Sequence, residues 1–204
     1  MIEALRRARV VPVIRTATAA QSRLAVQWLR AEGFTTFELT MTTPGALELL
    51  GELARDPALT FGMGTVPDAW HAQAAIQAGA RFLVTPWVDP EVGQCCRELD
   101  TLCMLGAMTP TEVRAAQRAG AGVVKLFPAA TAGGPAHLKA LRAVFPGVPF
   151  CPTGGVEPRN AAEYLRAGAA FVGIGGKLAD PRALAENDRA TIQAAAREAL
   201  AITA

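Results

Sequence analysis

Lysine is scarce in this chain: of its 20 basic residues only Lys125, Lys139 and Lys177 are lysines, and the other seventeen are arginines. Histidine is scarcer still, with His71 and His137 alone, each inside an alanine-rich stretch that reads as helix. A zinc or iron centre draws several such ligands together, so the sequence predicts no metal and no cofactor. The four cysteines, Cys95, Cys96, Cys103 and Cys151, form no Cys-x-x-Cys pair; neither a zinc site nor a redox motif is signalled, and reduced thiols are expected. No run reaches the roughly 18 apolar residues that cross a bilayer. Residues 1–9, MIEALRRAR, carry charge without an apolar stretch leading to a cleavage site, so the expectation is a cytoplasmic protein with no membrane partner. The 20 basic and 18 acidic residues are scattered rather than clustered, which argues against nucleic acid as a partner.

What is present is the material of a folded domain. Apolar residues make up 51% of the 204 and charged residues 19%, the balance of a globular protein, and the length fits one domain over residues 1–204. Short apolar runs alternate with longer segments of helical periodicity, the pattern of βα units around a parallel sheet. Eight runs qualify: 10–14, 36–40, 59–62, 82–85, 102–105, 123–127, 150–153 and 171–173. Eight parallel strands predict a closed α/β architecture, a single (β/α)8 TIM barrel.

An internal repeat supports the count. AEGFTTFEL, QAGARFLVTP, RAGAGVVKLF and RAGAAFVGIG each set a glycine between a helix and a strand, at Gly33, Gly79, Gly120 and Gly168. These are expected left-handed helix caps, recurring about every two βα units. Thr43-Pro44, Val66-Pro67-Asp68, Thr109-Pro110-Thr111-Glu112 and Glu157-Pro158 read as helix starts. In such a barrel the loops after the strands carry the chemistry.

Lys125 stands inside the apolar run Val123-Val124-Lys125-Leu126-Phe127, where neither face of the strand meets water. A desolvated lysine favours the neutral amine that attacks a carbonyl to form an imine. The alternative is a lysine that snorkels to the rim or sits in a structural salt bridge. Glu38 is the same anomaly in the second strand; it reads as a proton carrier or as the other half of a structural ion pair. Gly154-Gly155 and Gly175-Gly176 end the seventh and eighth strands, where exposed backbone amides commonly form a phosphate site, although a Gly-Gly pair is also ordinary turn chemistry. Arg15 ends the first strand and can fork onto a carboxylate or phosphate. Thr42, Thr65, Thr85 and Thr153 follow strands 2, 3, 4 and 7 and read as substrate hydroxyl partners or as routine caps.

These residues resemble a known family. Gly33-Phe34 through Glu38-Leu39-Thr40 with Thr43-Pro44, Gly62-Met63-Gly64-Thr65-Val66, Val84-Thr85-Pro86, Gly106 through Glu112, Val124-Lys125-Leu126-Phe127-Pro128-Ala129 and Pro152-Thr153-Gly154-Gly155-Val156 are similar, nearly end to end, to the class I 2-keto-3-deoxy-6-phosphogluconate (KDPG) and 4-hydroxy-2-oxoglutarate (KHG) aldolases and their phosphogalactonate relatives. The resemblance implies a retro-aldol that splits a 2-keto-3-deoxy-6-phospho sugar acid into pyruvate and glyceraldehyde 3-phosphate, an Entner-Doudoroff-type activity of a homotrimer. It implies Lys125 as imine former, Glu38 as proton shuttle, and Thr65 beside the pyruvyl carboxylate. Phe127 and Pro86 would be pocket walls, Thr153 would lie near the sugar chain, and Gly154, Gly155, Gly175 and Gly176 would form the phosphate cradle.

Three positions depart from the phosphogluconate-cleaving pattern. Thr42 stands where an arginine is usual, and Arg15, which matches the phosphogalactonate-cleaving branch, is expected to take over its carboxylate. Gly176 stands where a serine is common, leaving the backbone and Lys177 to hold phosphate. Trp87 replaces a small residue and is expected to narrow or cover the pocket. The alternatives are an unphosphorylated substrate such as 4-hydroxy-2-oxoglutarate or a 2-keto-3-deoxy sugar acid, a phosphate-binding barrel isomerase or epimerase, and a non-catalytic sugar-phosphate sensor.

Overall fold

In the computed structural model, which describes residues 1–202, each apolar run forms a parallel strand and each amphipathic segment between them a crossover helix, the connection that parallel pairing requires. The strands are β1 (Val10–Ile14), β2 (Thr36–Thr40), β3 (Thr60–Gly64), β4 (Phe82–Val84), β5 (Leu102–Ala107), β6 (Val123–Leu126), β7 (Phe150–Pro152) and β8 (Val172–Ile174). Helix α1 (Ile2–Ala8) precedes them. The crossovers are α2 (Ala19–Ala31), α3 (Ala46–Leu53), α4 (Ala69–Gln77), α5 (Pro90–Glu98), α6 (Pro110–Arg118), α7 (Gly134–Val144) and α8 (Pro158–Arg166). Helices α9 (Pro181–Ala185) and α10 (Arg189–Ala201) follow β8. The strand order β7-β6-β5-β4-β3-β2-β1-β8 is closed by a parallel bridge between Thr153 and Gly173. The result is a (β/α)8 barrel.

The repeated glycines end their helices as expected. Gly33, Gly79, Gly120 and Gly168 all have φ between 95° and 115°. After α2, the Gly33 amide donates to the Arg30 carbonyl and the Phe34 amide to the Leu29 carbonyl, the paired bonds of a Schellman close. At helix starts, Asp68 accepts from the His71 amide and Thr109 forms a capping box with Glu112. One start differs from expectation. Helix α3 begins at Ala46 behind Gly45, whose φ of 74° turns the chain, so Thr43-Pro44 lies in the preceding turn rather than opening the helix.

Two apolar layers hold the barrel. Outward-facing residues such as Phe37 and Phe61, whose rings stack 5.5 Å apart, pack between the sheet and the helices. Inside, Val11, Phe82, Val84, Met104, Val123, Cys151 and Phe171 form a second cluster, and Leu5 of α1 packs into it. Strand alternation places Lys125 on the same face as Val123, two residues nearer the C-terminal mouth. The polar site therefore rests directly on an apolar plug.

Candidate active site

Lys125 is 4% exposed and Glu38 3%, and Lys125 Nζ lies 3.8 Å from Glu38 Oε1. This is an ion-pair distance rather than a hydrogen bond. Among the described residues, Glu38 Oε1 accepts no hydrogen bond at all. Burial pushes the Glu38 carboxyl above the usual glutamate range, while the charges of Lys125 and Arg15 pull it back down. Gly64 makes the position possible: it pairs with Thr40 on the neighbouring strand, and a Cβ there would overlap the Glu38 carboxylate. Lys125 Nζ also lies 5.2 Å from the centre of the Phe127 ring, within reach of its π face.

Lys125 borders a cavity of about 330 Å³ at the barrel mouth, with Val13, Arg15, Phe127, Thr153, Gly154, Gly155, Gly175, Gly176 and Lys177 around it. Among the described residues, the backbone amides of Gly154, Gly155, Gly175 and Gly176 donate to no carbonyl of the protein. The cavity thus joins an amine-bearing end to a cradle of free N–H donors. Glu38 is not part of the cavity lining itself but stands 3.8 Å from the Lys125 Nζ that borders it.

Arg15 Nη2 donates to Thr65 Oγ1 at 3.1 Å. Thr65 has φ 55°, a left-handed conformation that a β-branched residue rarely adopts, and its hydroxyl holds the Arg15 guanidinium at the end of β1. The remaining expected residues lie apart from the cavity lining. Thr42 is exposed with its hydroxyl 3.1 Å from that of Thr40, and Pro86 packs where a side chain on Gly106 would stand. Trp87 is 46% exposed and does not line the cavity, so it does not narrow it as expected. His71 and His137 sit on α4 and α7, and among the described residues no three His, Cys, Asp or Glu side chains group as metal ligands.

Two neighbours of the site were not expected from the sequence. Cys151 pairs in register with Lys125, and burial pushes its thiol up to about 12, so it stays protonated inside the barrel. Its Sγ lies 3.7 Å from Thr153 Oγ1. Glu157 also lines the cavity; its position beside Pro158 reads as a helix start, which masks a role at the pocket rim.

Comparison with known proteins shows the family. The sequence profile of the family described as "Aldolase: KDPG and KHG aldolase" matches residues 1–195. A 2-dehydro-3-deoxy-phosphogluconate aldolase from Pseudomonas aeruginosa is 38% identical over 197 residues, covering 96% of this chain and 89% of that protein. The crystal structure of KDPG aldolase from Legionella pneumophila, with pyruvate captured at low pH as a covalent carbinolamine intermediate, superposes with a TM-score of 0.88 at 30% identity, covering 100% of this chain and 98% of the other. A structure described as native KDPGal superposes with a TM-score of 0.79 at 28% identity, covering 94% and 96%. With a buried lysine and glutamate at the mouth of a (β/α)8 barrel and a family profile that spans nearly all of the sequence, this chain belongs to the KDPG and KHG aldolase family.

Proposed function

We propose that this protein is a Schiff-base aldolase that cleaves a 2-keto-3-deoxy-6-phospho sugar acid, of the phosphogalactonate or phosphogluconate type, into pyruvate and glyceraldehyde 3-phosphate. The observation that carries the proposal is the buried Lys125–Glu38 pair at one end of a cavity whose other end offers free glycine amides. Lys125 Nζ adds to the C2 carbonyl to give a carbinolamine, which loses water to leave the imine. Glu38 supplies and removes the protons of these steps. Loss of the C4 hydroxyl proton breaks the C3–C4 bond, releases the aldehyde and leaves an enamine on Lys125. Protonation at C3 and hydrolysis of the imine free pyruvate and restore the amine. The Legionella relative's captured pyruvate carbinolamine is the first of these intermediates, and its occurrence in a 30% identical structure supports the same chemistry here.

In this reading Arg15, held by Thr65, faces the substrate carboxylate in place of the arginine that Thr42 replaces. Phe127 walls the reacting carbons, Thr153 meets the sugar chain, and Gly154, Gly155, Gly175 and Gly176 hold the phosphate. Arg15 and Thr42 favour the phosphogalactonate epimer. The enzyme needs no metal and acts as a cytoplasmic homotrimer; the homotrimer rests on the family resemblance, and sedimentation at three times the chain mass tests it. A panel of four substrates, the gluconate and galactonate acids with and without the 6-phosphate, tests the function by kcat/KM. The expected order puts both phosphorylated acids ahead, with galactonate first. Turnover that vanished with a chelator and returned with a divalent ion would contradict the mechanism.

A further inference from the structure

The far end of the cavity is less purely cationic than a phosphate site needs. Glu157 and Lys177 both line it, and both also line an adjoining cleft of about 410 Å³ that contains Arg159, Asp180 and Glu198. The Glu157 carboxylate pairs with Arg159 at 2.7 Å, with the Arg159 side chain 78% exposed and the Glu157 side chain 23%, so each offsets part of the other's charge and the more buried carboxylate is the partner nearer the cavity wall. Among the described residues, Lys177 is the lysine that lines both spaces, and it shares the adjoining cleft with the carboxylates of Glu157, Asp180 and Glu198.

The start of α8 adds little to anion binding. The Glu157 amide donates to Asn160 Oδ1 at 2.8 Å, Pro158 has no N–H, and the Asn160 and Ala161 amides return to the Glu157 carbonyl. A helix N-terminus attracts anions through its free amides, and here most are already bonded. An anion at this end depends on the glycine amides and Lys177, with the Glu157 carboxylate beside them.

We propose that Glu157 sets the preference between phosphorylated and unphosphorylated 2-keto-3-deoxy acids: its negative charge weakens the hold on a phosphate dianion, and its oxygens accept a hydrogen bond from a neutral terminal hydroxyl. The inference rests on the aldolase reading above and adds a determinant of substrate class to it. Like charges at a half-exposed rim repel modestly, and salt screens them. Binding at this remote end is felt at the reacting carbon mainly as affinity.

The test compares Glu157→Gln with the parent enzyme on the phosphorylated and unphosphorylated acids, with inorganic phosphate as competitor. The ratio of kcat/KM values, phosphorylated over unphosphorylated, is expected to rise about fivefold to tenfold. The change should come through KM, with tighter inhibition by inorganic phosphate, and should shrink at high salt. Lys177→Met is expected to move the ratio down by a similar factor. An unchanged or lower ratio in Glu157→Gln, or a change confined to kcat, overturns the proposal. Borohydride trapping of pyruvate on Lys125 in both variants separates the two levels. Trapping with an unchanged ratio sinks the role of Glu157 alone, whereas absence of trapping in the parent enzyme sinks the aldolase reading.

Discussion

Glu38 Oε1 stands 3.8 Å from Lys125 Nζ, with both side chains buried and no hydrogen bond reaching that oxygen from any described residue. An unsatisfied buried carboxylate oxygen is rare in folded proteins and marks either strain or function. Here burial raises the Glu38 carboxyl while the positive charges of Lys125 and Arg15 draw it down. A carboxyl raised from its ordinary range beside an amine is suited to give and take a proton in turn, which is what imine formation and carbon–carbon cleavage each require.

Lys125→Arg keeps a positive charge in the barrel but cannot form an imine. Turnover is expected to fall by about 10³-fold or more, measured by coupled detection of pyruvate. A variant that retained more than a tenth of the parent activity would remove Lys125 from the chemistry.

Glu38→Gln keeps the shape of the side chain and removes its proton transfer. The expected loss is about 10²-fold to 10⁴-fold in kcat. The same substitution changes stability with pH in a defined direction. Because burial raises the folded carboxyl above its unfolded value, the native state binds the extra proton, and stability falls as pH rises from the ordinary glutamate range to the folded value. Relative to Glu38→Gln, the parent protein should lose about 1.4 kcal/mol for each pH unit between those two values. The carboxyls of Glu52, Asp68, Glu112 and Asp188, which are held below their usual range, act alike in both proteins. Thermal unfolding of both proteins from pH 4 to 9 measures the difference; a parent that gained on the variant as pH rises would contradict the assignment.

Arg15→Met removes the cation that faces the cavity from β1. Loss of a charged hydrogen bond to a carboxylate is worth about 1.5–3 kcal/mol, so KM is expected to rise about tenfold to 100-fold with a smaller effect on kcat. Since the Arg15 charge lowers the Glu38 carboxyl, the acid limb of the kcat/KM profile should also move to higher pH. A shift toward lower pH would show that Arg15 does not act on Glu38.

Thr65 holds φ at 55° while accepting from Arg15. Thr65→Gly relieves that backbone conformation and is expected to stabilise the fold by about 0.5–1 kcal/mol, while KM rises because Arg15 loses its anchor. Stability and affinity moving in opposite directions is the signature of a residue strained for function. Denaturant unfolding and steady-state kinetics on one preparation check both halves.

Most of the architecture is legible because apolar runs and glycine caps repeat. β1 and β2 occupy the expected residues end to end, and all four repeat glycines turn their helices as foreseen. Two strands run well past their expected ends, β3 to Gly64 and β5 to Ala107. Gly64 and Gly106 are strand residues there, and with Gly62 their missing side chains make room for Glu38, the Pro86 backbone and Phe82. Such glycines signal a close approach across the barrel, and no local pattern separates them from turn glycines.

The site was readable to the extent that it breaks hydrophobic patterning. A lysine and a glutamate inside apolar strands stand out against their neighbours, and the structure places them together. Glu157 and Cys151 do not stand out. The first imitates a helix cap beside Pro158, and the second is an ordinary apolar residue in its strand; the pairing of β7 with β6 sets Cys151 beside Lys125, and the loop after β7 brings Glu157 to the same cavity. Arg15 and Thr65 lie 50 residues apart in sequence, and their bond depends on the turn at Thr65.

The most direct test incubates the protein with pyruvate and borohydride and maps the product by mass spectrometry. One reduced pyruvate adduct per chain, located on the peptide that contains Lys125 and accompanied by loss of activity, is the predicted result. An active protein with Lys125 unmodified, or an adduct on Lys139 or Lys177 instead, would contradict it.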